Sequence, residues 1–175
     1  MSNKVLVFGV GSMGSCIADN FAKLGYEVFT ADIQDSTRPY THLKIDIDKS
    51  EDLDLVFKEF KPTVVFSALP YFCNEVVGKR AIDEGCFYFD LGGSVPVSSI
   101  LNSYARDNGS RPILTDVGLA PGLVNVLAEV GLNEIGGEAD DVVMRCGGVP
   151  LYPDNAPFNY KLTWSMDGLL NEYAW

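Results

Sequence analysis

The sequence predicts an α/β chain built on a doubly wound, mostly parallel sheet. Short apolar runs recur as far as Leu114, amphipathic helical stretches separate them, and glycine or proline punctuates the joins. Strand–helix alternation with short connections favours βαβ units and right-handed crossovers.

Val5, Leu6, Val7 and Phe8 form the first run, continuous as expected for a strand buried on both faces. Met13, Ile17, Phe21 and Leu24 then share one helical face, and Gly25 supplies a stop. Residues 26–31 read as the second strand, and a weaker third surrounds 43–47. Ser50, Glu51 and Asp52 open a helix, where acidic groups favour the positive end of the dipole. Leu53, Val56, Phe57 and Phe60 give it an apolar stripe before Pro62 ends it. Residues 63–67 read as the fourth strand, 72–84 as a helix, 86–90 as the fifth strand and 97–107 as another helix. Pro112 begins a sixth strand.

After about residue 120 the pattern changes. Leu123, Val126, Leu127 and Val130 make a further amphipathic stretch, 141–146 looks strand-like, 160–164 alternates like a strand, and 166–173 resembles a short helix. The expected organisation is one α/β domain over 1–120, then a linking helix and the incomplete start of an α+β domain over 121–175.

The chain has 175 residues, 47% of them hydrophobic, enough for a core without staples. A net charge of −11 repels phosphate backbones and anionic lipid, so neither nucleic acid nor a membrane is an expected partner. No apolar run approaches the ~20 residues that span a bilayer. The N-terminus enters the first strand without signal-peptide architecture, so a cytoplasmic setting is expected. Cys16, Cys73, Cys86 and Cys146 form no CxxC pair, and neither disulfides nor a metal site is expected. His42, the single histidine, reads as a loop residue rather than a general base, and Cys73 as a small core residue.

Gly9, Val10, Gly11, Ser12, Met13 and Gly14 spell GxGxxG where a strand turns into a helix. Gly9 permits the tight turn, Gly11 lets a pyrophosphate approach the backbone, and Gly14 lets the helix pack closely. The phosphates would lie over unpaired N–H groups at the helix N-terminus, as in a Rossmann domain that binds NAD(P). Asp32 follows Gly14 by 18 residues, with Ile33 beside it, at the end of the second strand. A carboxylate there accepts from the adenosine ribose hydroxyls and repels the 2′-phosphate of NADP, so NAD is expected. Arg38 could still meet that phosphate.

Asp46 and Ile47 stand where the adenine would lie, although Asp46 reads equally as a turn acid beside Asp48. Ser67, Ala68, Leu69 and Pro70 follow the fourth strand at the carboxyl edge, where small residues let the nicotinamide ribose pass. Tyr71, Gly92, Gly93, Pro121 and Gly122 are the candidate substrate contacts; Asp90 and Asp116, after the fifth and sixth strands, are the candidate proton acceptors. A loop leading into a helix would look similar at Asp90. Lys161 and Trp164 suit substrate contacts or simple strand alternation equally.

Taken together, GVGSMG, Asp32, FSALPYFCNEVVGKRAIDEG, YFDLGGS, TDVGLAPGLVNVLA, RCGGVP and FNYKLTWSMDGLLNEY resemble the saccharopine dehydrogenase family, in particular its lysine 6-dehydrogenase-like branch. The resemblance implies NAD(P) in the Rossmann domain and oxidation or formation of an amino acid's C–N bond by hydride transfer. In the saccharopine-reductase branch an acid precedes the Pro-Gly pair; Ala120 holds that position here, which favours the primary-amine branch. Family enzymes are considerably longer, so the chain is expected to stop just after its substrate domain begins.

The expected function is NAD-dependent oxidation of a CH–NH group, with the side-chain amine of L-lysine as substrate. A saccharopine or carboxynorspermidine-type reductase is the alternative enzyme, and a dinucleotide-binding module without turnover is the alternative from another class. Exposed edges such as residues 160–164 should seek a partner, so a homo-oligomer through the C-terminal segment is expected.

Overall fold

The computed structural model describes residues 3–147, 166, 169 and 170. The chain divides into two compact units, Met1–Gly118 and Leu119–Trp175.

The first unit is organised around β1 (Lys4–Phe8), whose Val5, Leu6, Val7 and Phe8 are fully buried. β1 pairs in parallel with both β2 (Glu27–Asp32) and β4 (Val64–Ser67), which is why it carries no polar alternation. β3 (Thr41–Lys44), β5 (Phe87–Asp90) and β6 (Ile113–Leu114) extend an all-parallel sheet of order β3-β2-β1-β4-β5-β6. The chain winds from β1 out to β3, then crosses back to β4 and winds the other way. The strand order therefore reverses between β1 and β4, the place where open α/β sheets bind ligands.

Helices cover both faces. α1 (Ser12–Lys23) sets Ile17, Ala18 and Phe21 against Val5, Val7 and Val28. On the opposite face α2 (Ser50–Phe60), α3 (Asn74–Asp83) and α4 (Val95–Asn108) enclose Leu6, Phe8, Phe29, Ala31 and Val65. Phe60 stacks on Phe29 with ring centroids 4.4 Å apart, a contact that adds about 0.5–1.5 kcal/mol beyond area burial. At Gly78 of α3, a Cβ would lie 2.6 Å from Leu101 Cδ2 of α4, so only glycine lets these helices approach this closely.

Most boundaries agree with the sequence reading to within a residue, and three elements differ by two residues or more. β3 ends at Lys44, not Ile47, because acid side chains take over: Ile45 N–H still bonds the Asp32 carbonyl, but Asp46 N–H donates to Asp52 Oδ2 at 2.9 Å. The helix expected from residue 72 opens as a 3₁₀ turn, Tyr71–Cys73, before α3. The helix expected from residue 97 starts at Val95, with Pro96 in its first turn where a missing N–H is harmless.

In the second unit, α5 (Leu123–Glu134) follows a cis Ala120–Pro121 bond, and Gly122 N–H donates to Asn125 Oδ1 at 3.2 Å at its start. The strand expected over 141–146 is absent; those residues are exposed and pair with no strand among the described residues. The strand expected over 160–164 lies outside the described residues, as does most of the helix expected over 166–173, of which Met166, Leu169 and Leu170 are helical. Among the described residues no helix is long and apolar enough to cross a membrane, and no cluster of His, Cys, Asp or Glu could hold a metal.

Candidate functional site

Strand register sets the row of groups at the carboxyl edge of the first unit. Phe8 is level with Ala31 on one side and Ser67 on the other; Ser67 is level with Asp90, and Lys44 with Asp32. The loops that follow these residues therefore emerge side by side.

At the reversal point two loops touch. Gly9 N–H donates to the Ala31 carbonyl at 2.9 Å, and Ala68 N–H donates to the Phe8 carbonyl at 2.8 Å. Gly9 sits at φ +92°, and a Cβ there would lie 2.8 Å from the Ala68 oxygen, so both conformation and space require glycine. Gly14 is buried, and a Cβ on it would run into the Gly9 carbonyl and lie 3.2 Å from Ala68 Cβ. Gly11 differs: a Cβ on it would meet nothing within 4 Å. Two of the glycines close the turn, and the third leaves open space above it.

Above that space stands the start of α1. The first intrahelical bond is Ser15 N–H to Gly11 O, at 2.9 Å, and Ser15 Oγ donates to the Val10 carbonyl. The N–H groups of Ser12, Met13 and Gly14 have no partner among the described residues, and the first turn holds no acidic residue. Unpaired N–H groups, a positive dipole end and free space suit an anion such as a pyrophosphate.

Asp32 ends β2 beside this turn. Its Oδ2 accepts Val10 N–H at 2.7 Å and its Oδ1 accepts Gln34 N–H at 2.8 Å. A carboxylate has about four acceptor sites, so one on each oxygen stays available to a diol. Ile33 next to it is exposed. Arg38 pairs with Asp19 at 3.1 Å, and Tyr40 donates to the same carboxylate at 2.7 Å.

Asp46 and Ile47 lie in the turn after β3. Asp46 Oδ1 accepts Asp48 N–H at 3.2 Å and Oδ2 stands 3.7 Å from Lys49 Nζ, while Ile47 packs against the main core. The Asp46 carboxylate organises its own turn. After β4, Leu69 packs on the core and the Pro70 carbonyl accepts Cys73 N–H at 2.9 Å. Tyr71 lies against Gly93, where a Cβ would be 3.4 Å from Tyr71 Cβ.

Ser67 does not present its side chain at this edge. It is 0% exposed and its hydroxyl donates to Asn74 Oδ1 at 2.7 Å, so its side chain faces the interior. It belongs to a buried polar group that the sequence reading missed, with Asn74, Tyr88 and Asp90. Tyr88 Oη donates to the Asn74 carbonyl at 3.4 Å. Burial first, and the Asp90 charge second, push the Tyr88 hydroxyl far above its ordinary value. A serine and an aspartate closing two otherwise apolar strands, level with each other, were the available signal.

Asp90 is 1% exposed. Its Oδ1 accepts Gly92 N–H at 2.8 Å and Asp116 N–H at 3.1 Å, and its carbonyl accepts Val117 N–H at 2.9 Å. Burial pushes its pKa above the ordinary 3.8, opposed by the two N–H bonds. The carboxylate thus clasps the loop after β5 to the loop after β6. Asp116, at φ +63°, lies directly against Gly92, itself at φ +76°, where any Cβ would strike the Asp116 carboxylate. Of the two candidate proton acceptors, Asp116 is the partly exposed one. Pro121 and Gly122 belong to the second unit. Lys161 and Trp164 lie outside the described residues.

His42 stands in β3, not in a loop, with both ring nitrogens engaged by Thr30 and Gln34. Cys73 is half-buried, and burial, then the Asp48 charge, push its thiol above the usual value, so it is no ready nucleophile.

Residues 118–174 match the model of the saccharopine dehydrogenase C-terminal domain. The saccharopine dehydrogenase [NADP(+), L-glutamate-forming] of Pyricularia oryzae is 29% identical over 131 residues, covering 72% of this chain and 29% of its own. Apo saccharopine dehydrogenase (L-Glu forming) from Saccharomyces cerevisiae superposes with a TM-score of 0.72 at 21% identity, over 95% of this chain and 40% of that one. Thermus thermophilus UDP-glucose 4-epimerase in complex with NAD matches the fold with a TM-score of 0.56 at 15% identity, over 75% of this chain and 63% of that one. The chain therefore spans 29% of the length of the curated relative it matches.

Proposed function

We propose that the chain is a member of the saccharopine dehydrogenase family and an NAD(P)-dependent oxidoreductase acting on the CH–NH group of an amino acid, a reading supported by the match of its residues 118–174 and by its 29% identical relative. The observation that carries this reading is the glycine turn joined to Asp32 over the reversal point of the sheet. Open N–H groups on Ser12, Met13 and Gly14, and the space above Gly11, suit a pyrophosphate; the Asp32 oxygens suit a ribose diol. A nicotinamide dinucleotide held there supplies the hydride acceptor for oxidation of the amine-bearing carbon.

The chain's own residues orient the reactants. Ala68 lies against Gly9 and Tyr71 against Gly93, so the loops after β1, β4 and β5 meet at this edge, and Gly92 and Gly93 keep the loop after β5 thin there. Oxidation requires a deprotonated amine, and Asp116, partly exposed beside Gly92, takes that proton. Asp90 behind it fixes the two loops and so positions Asp116.

Two observations support NAD over NADP. Asp32 presents negative charge where a 2′-phosphate would lie, and Arg38, the nearby cation, is committed to Asp19. The substrate we propose is the side-chain amine of L-lysine, supported by Ala120 in place of an acid before Pro121. A saccharopine-type reaction with NADP is the second reading, favoured by the relative named for both.

The test is reduction of NAD or NADP by the purified chain with L-lysine or with saccharopine, beside an Asp116→Asn variant. Lysine-dependent NADH formation that falls at least about a hundredfold in the variant supports the proposal, the scale of one acid–base group. Turnover of saccharopine alone favours the second reading. Dinucleotide binding without turnover of either would mean a binding module.

A further inference from the structure

We propose that His42 is a positioning residue for the adenosine end of the dinucleotide site, acting through the turn that orients Asp32. This rests on reading the glycine turn and Asp32 as that site. His42 lies level with Thr30 of β2 in the parallel ladder. Its Nε2 is 2.9 Å from the Gln34 carbonyl oxygen and its Nδ1 is 3.0 Å from Thr30 Oγ1. A carbonyl only accepts, so Nε2 carries the hydrogen and donates it; in the neutral ring Nδ1 then accepts from the Thr30 hydroxyl. Thr30 is 2% exposed, so its hydroxyl is a fixed point of the sheet.

The backbone of Gln34 passes the constraint on. While its carbonyl takes the His42 hydrogen, its N–H donates to Asp32 Oδ1 at 2.8 Å. The other oxygen of Asp32 accepts Val10 N–H of the glycine turn at 2.7 Å. Four hydrogen bonds thus run from the sheet interior, through His42 and Gln34, to the carboxylate and the phosphate-binding turn. Of the other ties on this stretch, Tyr40 Oη donates to Asp19 and Arg38 N–H to Ser36 Oγ, neither of which reaches Gln34, while Lys44 with Asp35 and Arg38 with Asp19 are ion pairs between exposed or partly exposed side chains. Such pairs hold little. His42 is the side chain that ties the Gln34 carbonyl to the sheet.

Recognition of a ribose diol by a carboxylate is directional, and rejection of a 2′-phosphate depends on where that charge is held. Removing the anchor should therefore weaken NAD binding and narrow the preference for NAD over NADP. Losing one net hydrogen bond corresponds to about a three- to tenfold weaker Kd for NAD. His42→Gln keeps an N–H donor for the Gln34 carbonyl and should recover most of the loss.

The experiment titrates the wild-type chain, His42→Ala and His42→Gln with NAD and with NADP, and follows amide hydrogen exchange in the ligand-free proteins. The expected result in His42→Ala is weaker NAD binding, a smaller NAD-to-NADP ratio, and faster exchange at Gln34 with β1 and β4 unchanged. Wild-type binding of NAD matched in Kd and ratio by His42→Ala would overturn the positioning role and leave the site reading intact. Equal loss of NAD and NADP binding with faster exchange throughout β1 and β4 would mean general destabilisation and would also overturn it. Failure of the wild-type chain to bind either dinucleotide would overturn the site reading, and the role of His42 with it.

Discussion

Replacing Asp90 separates two roles that a buried carboxylate at a strand end can play. Asp90→Ala leaves the Gly92 and Asp116 N–H groups without their acceptor. An unsatisfied buried donor costs about 1–3 kcal/mol, and these two sit at half-buried positions, so about 2–4 kcal/mol in all is expected. For a chain of this length that lowers the Tm by about 4–16 °C. Asp90→Asn keeps an oxygen for both donors and removes the charge. The folded Asp90 has its pKa raised above the ordinary 3.8 by burial, so it binds its proton more tightly folded than unfolded. Its titration therefore contributes stability that is fully present below the unfolded value, and that contribution is lost as pH rises through the folded value. Asn has no such loss, so Asp90→Asn should equal or exceed the wild type at pH 7 and lose that advantage toward acid. Urea denaturation followed by circular dichroism at both ends of this window measures it. If Asp90→Asn is destabilised at pH 7 as much as Asp90→Ala, the clasp is not what the carboxylate does.

The glycine turn makes a paired prediction. Gly14→Ala drives a Cβ into the Gly9 carbonyl, and the resulting shift should cost about 1–3 kcal/mol, read as a lower urea midpoint without any ligand. Gly11→Ala has open space and an ordinary φ of −64°, so its midpoint should match the wild type while NAD binding falls at least tenfold in calorimetry.

Much of this architecture was legible in the sequence because its signals are local. The apolar run at Val5–Phe8 marks a central parallel strand, and the stripe of Leu53, Val56, Phe57 and Phe60 marks a helix, whatever lies across the core. The glycine turn was legible for the same reason, since its spacing is set within one βα unit. What was not legible depended on partners distant in sequence. β3 stops early because Asp52 reaches back to the Asp46 N–H. Ser67 turns inward because Asn74 waits there, and Asp90 clasps two backbone N–H groups because β6 brings Asp116 alongside. His42 was read as a loop residue because the run Thr41–Lys44 is short and polar; only its neighbour Thr30 makes it a strand position. Residues 141–146 look strand-like in the sequence, but a strand needs a pairing partner, and among the described residues none is there.

Everything proposed for the site depends on the turn from Gly9 to Gly14, with Asp32, holding a nicotinamide dinucleotide. A calorimetric titration of the chain with NAD and then NADP, beside Asp32→Ala, tests it most directly. Saturable binding that favours NAD is expected, with Asp32→Ala weakening NAD and gaining relatively on NADP as the charge facing the 2′-phosphate disappears. Equal binding of both dinucleotides by wild type and variant, or binding of neither, would contradict it.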